Sequence, residues 1–242
     1  GSFLTSWFDS GDGLVKLQKF SIAGDAVGGE VSVSPTAYSM GNATQIIALS
    51  GGGYAVVWDT GPGHSRIAYR VFSSQGEPVG QPVVMDIGAA QEAVAPVGIP
   101  LDGGGFVLGW TEVHSQPYSN VTQSIGQFQI FAADGTVASE VKTLPISVGN
   151  TAISSVVTLD GGRFAVLWSD GYLNNSKIFC QLFSTSGAAL GDPFSINSDP
   201  EAYSSAPKGT FLPDGRLLVS WTEFTALGSS PTDSGVHAQY FD

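Results

Sequence analysis

The chain has 242 residues, of which only 12% are charged, with nine Lys and Arg against 21 Asp and Glu, a formal net charge of −12 and one cysteine, Cys180. So few cations exclude partners that are read through phosphate, both nucleic acid and anionic lipid surfaces. A single cysteine excludes an intrachain disulfide, and no apolar run is long enough to span a bilayer, so no membrane insertion is expected.

In chain order, the first apolar segment runs from Phe3 to Trp7 and is followed by Asp9-Ser10-Gly11-Asp12-Gly13 and a strand ending at Phe20. The second stretch is fuller. It reads as a strand over 43–49, a turn Ser50-Gly51-Gly52, a strand over 53–58 closing on Trp58, a polar loop over 59–65, a strand over 66–72, a turn over 73–76 and a strand over 79–85. The same order recurs through 97–101, Asp102-Gly103-Gly104 and a strand to Trp110; then 155–159, Asp160-Gly161-Gly162 and a strand to Trp168; then 209–212, Pro213-Asp214-Gly215 and a strand to Trp221. Asp-Gly between two apolar runs is a hairpin signal, because the sharp reversal needs a positive φ that glycine adopts without steric cost.

The chain's five tryptophans each close one copy, at spacings of 51, 52, 58 and 53 residues, which marks an internal repeat. Third strands end at Phe20, Phe72, Phe131, Phe183 and Phe241. Gln stands two residues earlier in four of them (Gln18, Gln129, Gln181, Gln239) and Arg70 in the other. Alternation puts Ile67, Tyr69 and Val71 on one face, and Ile178, Cys180 and Leu182 on the equivalent one. The opposite face carries Gln and Phe, so neither face is wholly polar. Strands apolar on both sides suit sheets stacked on neighbouring sheets. No segment shows sustained 3.6-residue periodicity with helix caps.

The predicted architecture is all-β: one domain over 1–242, a five-repeat β-propeller of four-stranded antiparallel blades, with a Trp between adjacent sheets in each repeat. The count gives 18 strands where five complete blades need 20. Four readings follow: three-stranded end blades, end blades to which a few residues add a short strand, a piece of a longer array, or end blades completed by another chain through homo-oligomerisation or strand exchange at open edges.

Leu101-Asp102-Gly103-Gly104-Gly105-Phe106-Val107 with Trp110, the stretch from Leu159 to Trp168, Gln181-Leu182-Phe183 and Val79-Gly80 together resemble the L-x-D-G-G-F-V-V-x-W … Q-x-F … D-G repeats of large exported bacterial proteins that carry RTX or adhesin-type modules. The resemblance covers nearly the whole chain and implies a secreted or cell-surface setting. It says little about activity. The Asp/Gly-rich run that often follows the Trp in that family is kept here only at residues 9–13.

An acidic residue follows each Trp: Asp9, Glu112, Asp170 and Glu223 two positions on, and Asp59 one position on. On a propeller these would form a ring of carboxylates on the loop face, able to accept from sugar hydroxyls or a basic peptide or to hold a cation. The commoner use of such residues is to cap their own loops by accepting backbone N–H bonds. Asp9 and Asp12 are the candidate metal ligands and calcium the one cofactor suggested, against the plainer reading of a Gly-rich turn, since calcium takes six to eight oxygens. His114 and Tyr118 near Glu112, and Tyr172, Asn174 and Asn175 near Asp170, are aromatic and amide groups suited to sugars. His64, His114 and His237 lack metal-ligand spacing. No nucleophile motif occurs, and Cys180 falls mid-strand, where it is expected to be buried and inert.

The leading expectation is a non-catalytic binding or adhesion module that recognises glycan or protein on the loop face. The alternatives are a carbohydrate-active enzyme using the loop-face carboxylates, and a structural or self-assembling module.

Overall fold

The computed structural model describes residues 1–35, 44–61, 65–88, 90, 92–115, 122–145, 150–171, 176–197, 202–227 and 230–242. Its strands form five antiparallel sheets, taken up in chain order. The first sheet is β1 (Ser2–Asp9), β2 (Leu14–Ser21) and β3 (Ala26–Ser32). The second is β4 (Thr44–Ala48), β5 (Tyr54–Asp59), β6 (Ile67–Phe72) and β7 (Pro78–Val84). The third is β8 (Glu92–Pro100), β9 (Phe106–Ser115), β10 (Thr122–Phe131) and β11 (Lys142–Thr143). The fourth is β12 (Thr151–Thr158), β13 (Phe164–Asp170), β14 (Lys177–Phe183) and β15 (Phe194–Ser195). The fifth is β16 (Ala202–Phe211), β17 (Leu217–Leu227) and β18 (Ser230–Phe241). The end sheets therefore have three strands and the middle ones four.

Each β-hairpin before a Trp strand closes in one way. Leu49 N donates to Gly53 O, Leu101 N to Gly105 O, Leu159 N to Arg163 O and Leu212 N to Arg216 O, each at 2.8 Å. The last loop residue is left-handed, as at Gly104 with φ 95°. In the fourth sheet the loop Asp160–Gly162 tightens into one 3-10 turn, with Gly161 and Gly162 both at positive φ.

Successive sheets pack face to face, and four apolar cores lie in the four gaps. Between the first and second sheets, Val15, Leu17 and Val33 meet Tyr54, Val56, Trp58 and Phe72. Between the second and third, Val57, Ile67, Tyr69 and Val71 meet Phe106, Leu108, Trp110 and Phe131. Phe128, Ile130 and Leu144 then meet Phe164, Val166, Trp168 and Phe183, and Leu167, Ile178 and Cys180 meet Leu217, Val219 and Trp221. Each Trp from the second sheet onward faces the preceding sheet. β5 is buried at every position, as expected of a strand covered on both faces. The strands β4, β8, β12 and β16 pack one on the next and form the inner row.

Polar bonds tie the gaps. Gln45 makes a reciprocal pair with Gly98, donating to its carbonyl (2.8 Å) and accepting from its N–H (2.7 Å). Thr111 Oγ1 accepts from Ile153 N, and Tyr69 Oη donates to Gly135 O at 2.7 Å. The repeated glutamines have a structural role. Gln129 Nε2 donates to Ser139 O and Gln181 Nε2 to Gly191 O, supplying donors to the chain outside the third strand. In the first sheet the β2–β3 register shifts at Gln18, whose amide reaches Val27 O. Cys180 is fully buried, as expected, and burial pushes its thiol pKa up to about 12, which disfavours the thiolate.

Candidate functional site at the ends of the tryptophan strands

The sequence places the acidic residues in loops, and the structure places them in strands. Asp9, Asp59 and Asp170 are the last residues of β1, β5 and β13, while Glu112 and Glu223 lie inside β9 and β17. The segments 111–115 and 222–227 continue as hairpin ribbon rather than loop, because Thr111-Glu112-Val113 and Thr222-Glu223-Phe224 keep the β-rich alternation of the strands they extend. A residue two positions after a Trp shares its face, so Glu112, Asp170 and Glu223 point with the indoles into the gaps between sheets. Asp59, one position on, takes the opposite face. Burial follows: Asp59 is 6% exposed, Glu112 5% and Asp170 1%.

In the third sheet, Trp110 Nε1 donates to Glu112 Oε1 at 3.3 Å, and His114 Nε2 lies 3.2 Å from Glu112 Oε2. Both carboxylate oxygens are thus held, one by a buried indole and one by a ring at the rim. The fifth sheet repeats this with a cross-strand histidine. Trp221 Nε1 donates to Glu223 Oε2 at 3.0 Å, Ser204 Oγ donates to the same oxygen at 3.3 Å, and His237 Nε2 lies 3.7 Å from Oε1. His237 pairs with Trp221 across the hairpin and stacks on it with centroids 5.8 Å apart. In the second and fourth sheets the indole N–H groups of Trp58 and Trp168 are buried and have no hydrogen-bond partner among the described residues.

The first sheet differs again. Asp9 Oδ1 accepts from Gly11 N at 2.8 Å, Asp12 Oδ1 accepts from Leu14 N at 3.0 Å, and Asp12 Oδ2 is ion-paired with Lys16. These are the self-capping bonds of a Gly-rich turn, and with the Lys16 pair they engage Asp9 Oδ1 and both Asp12 oxygens. The hydrogen bond from Lys16 holds the Asp12 carboxyl below its ordinary value. Among the described residues no three His, Cys, Asp or Glu gather as a metal-binding group. Tyr118, Tyr172, Asn174, Asn175 and His64 lie outside the described residues.

The structure therefore brings Glu112 together with His114, and does not gather the acidic residues into one shared cluster among the described residues. Sequence reasoning missed Ser204 and the role of His237. The available signal was the tripeptide Trp-Thr-Glu, at 110–112 and again at 221–223, each with a histidine further along its hairpin. Two clefts lie at the other end of the strands. One runs between the first and second sheets beside Phe3, Lys19, Val31, Tyr54 and Gln75, and the other between the turns 49–53 and 102–104.

No protein-family model and no curated protein matches the sequence, so the repeat resemblance gains no support from those comparisons. Solved structures do match. A protein of unknown function from Dyadobacter fermentans superposes with a TM-score of 0.60 at 9% identity, over 81% of this chain and 64% of that one. The α-L-arabinanase of Penicillium chrysogenum, solved with arabinobiose, gives 0.60 at 11% identity over 96% and 76%. A thermostable family-43 glycoside hydrolase gives 0.53 at 14% identity over 99% and 85%. This chain thus spans less than two thirds of the Dyadobacter protein. At these identities the likeness is one of fold: an all-β array of antiparallel sheets of the propeller type.

Proposed function

We propose that residues 1–242 act as one carbohydrate-active domain of a secreted or cell-surface protein. Its five sheets are the blades of a five-repeat propeller, and its site lies where the Trp strands end. The observation that carries this is the Glu112 carboxylate, 5% exposed and held at both oxygens, with the partly exposed His114 as its outward partner. A carboxylate fixed by a buried donor and opened to the rim through a histidine is oriented for hydrogen bonding to hydroxyls or for proton transfer. Glu223 repeats the arrangement two sheets away.

Hydrolysis is the leading form of this reading, because the arabinanase and the family-43 hydrolase share the fold. Arabinan oligosaccharides are therefore the first substrates to try. Non-catalytic glycan or protein binding, including adhesion, is the second form. Burial of the carboxylates favours it, since cleavage of a glycosidic bond needs two carboxylates facing the sugar.

The test is reducing-sugar release from arabinan, xylan and sialosides, run beside a glycan-binding assay, with Glu112→Gln and Glu223→Gln as variants. Release that falls at least tenfold in either variant supports the enzyme. Binding without release, weakened by the same changes, supports the second form. A folded protein that neither binds nor cleaves any glycan overturns hydrolysis and glycan binding alike.

A further inference from the structure

Each gap between sheets uses one pair of faces. One sheet presents a triad: the aromatic or Leu four residues before the Trp, the Trp itself, and the Phe ending the third strand. Tyr54/Trp58/Phe72, Phe106/Trp110/Phe131 and Phe164/Trp168/Phe183 are all buried, and in the fifth sheet Leu217 and Trp221 are buried with Phe241 packed against them. The preceding sheet presents the covering face, as Leu167, Ile178 and Cys180 do for the fifth.

The first sheet carries the same triad in Phe3, Trp7 and Phe20. Phe3 and Phe20 stack at 5.5 Å, as Phe106 and Phe131 do at 5.0 Å, yet Phe3 is 45% exposed. The fifth sheet carries the covering face in Leu218 on β17 and Val236, Ala238 and Tyr240 on β18. Val236 is 81% exposed and Tyr240 54%, with the Arg216 guanidinium over the Tyr240 ring at 4.4 Å. Among the described residues the first and fifth sheets do not pack on one another as the four successive pairs do. The two open faces are thus the two halves of an interface the molecule makes four times internally.

We propose that the chain associates head to tail with a second copy, the β17–β18 face of one molecule covering the Phe3/Trp7/Phe20 face of the next. The contact continues the internal packing and joins two different surfaces, so one copy can engage neighbours on both sides. Exposed apolar side chains whose internal equivalents are buried or partly buried supply the driving force.

The test uses the full chain and two variants at exposed positions, Phe3→Asp and Val236→Asp, each checked for cooperative unfolding. Sedimentation over a concentration series should show the parent growing beyond monomer mass and each variant losing the larger species. An equimolar mixture of the variants should regain a dimer and nothing larger, because the mixture keeps one intact junction of the two halves. A parent that stays monomeric across the series, variants that assemble like the parent, or a mixture that remains monomeric would each overturn the proposal. If one variant does not fold, loss of assembly in the other alone supports it and retention refutes it.

Discussion

The third and fifth sheets differ from the second and fourth in one atom group. All four bury a Trp at the same place, but among the described residues only Trp110 and Trp221 find an acceptor for the indole N–H. The cause is side-chain length and parity. Glu two residues after the Trp shares its face and is long enough to reach back to Nε1. Asp170 shares the face but is one methylene shorter, and Asp59, one residue after its Trp, lies on the other face. A buried donor is worth more when it is paired, and among the described residues only the third and fifth sheets pair theirs. The comparison separates what a repeat needs, which is the apolar bulk of the Trp, from what only some copies add, which is a held carboxylate.

The bulk should dominate. Trp110→Ala and Trp168→Ala are each expected to cost about 3–5 kcal/mol, since both rings are 1% exposed between sheets. Chemical denaturation measures this. A loss of less than about 1 kcal/mol for either would mean its gap closes without the ring, and the common-core half of the comparison would fail.

A smaller, sharper effect follows from Trp→Phe. In the fourth sheet, Trp168→Phe removes an N–H that has no acceptor among the described residues, so lost contact area is partly offset by relief of an unmet donor. In the third, Trp110→Phe takes a donor from the buried Glu112. The second change should be the more destabilising by about 1–3 kcal/mol. Equal urea midpoints and slopes for the two variants would show that the Trp110–Glu112 bond adds nothing to stability.

The repeat and the strand order were legible because five tryptophans at near-equal spacing, glycine turns and apolar alternation all point one way; three-stranded end sheets were one of the readings the strand count left open, and the structure has them. So was the burial of Cys180. The site was less legible, for identifiable reasons. Placing Glu112 on the loop face gave it the wrong surroundings: the local alternation of Thr111, Glu112 and Val113 continues a strand, and a buried polar residue in a strand looks in sequence like an exposed one in a loop. The Trp–Glu bond needs only the rule that residues two apart share a face. The Ser204–Glu223 and His237–Glu223 contacts depend on cross-strand register, which bulges reset, as between Ser205 and Lys208 in β16.

The smallest effect comes from the first sheet, where Asp12 and Lys16 form the exposed counterpart of the buried Trp–Glu pairs. The Lys16 hydrogen bond holds the Asp12 carboxyl below its ordinary 3.8, and the group is fully solvated. Because the folded pKa lies below the unfolded one, the stabilisation is fully present above the unfolded value and disappears as pH falls through the folded one. Asp12→Asn should therefore lower Tm slightly at neutral pH, and the difference from the parent should shrink as the pH is taken below 3.8. Added salt should shrink it as well, because water and ions screen an exposed pair. Glu112→Gln measured alongside should keep its effect in high salt, since the Glu112 carboxylate is buried against the Trp110 indole. A Tm difference for Asp12→Asn that widens on acidification would have the wrong sign for a depressed carboxyl, and would mean that Lys16 does not hold Asp12 in solution.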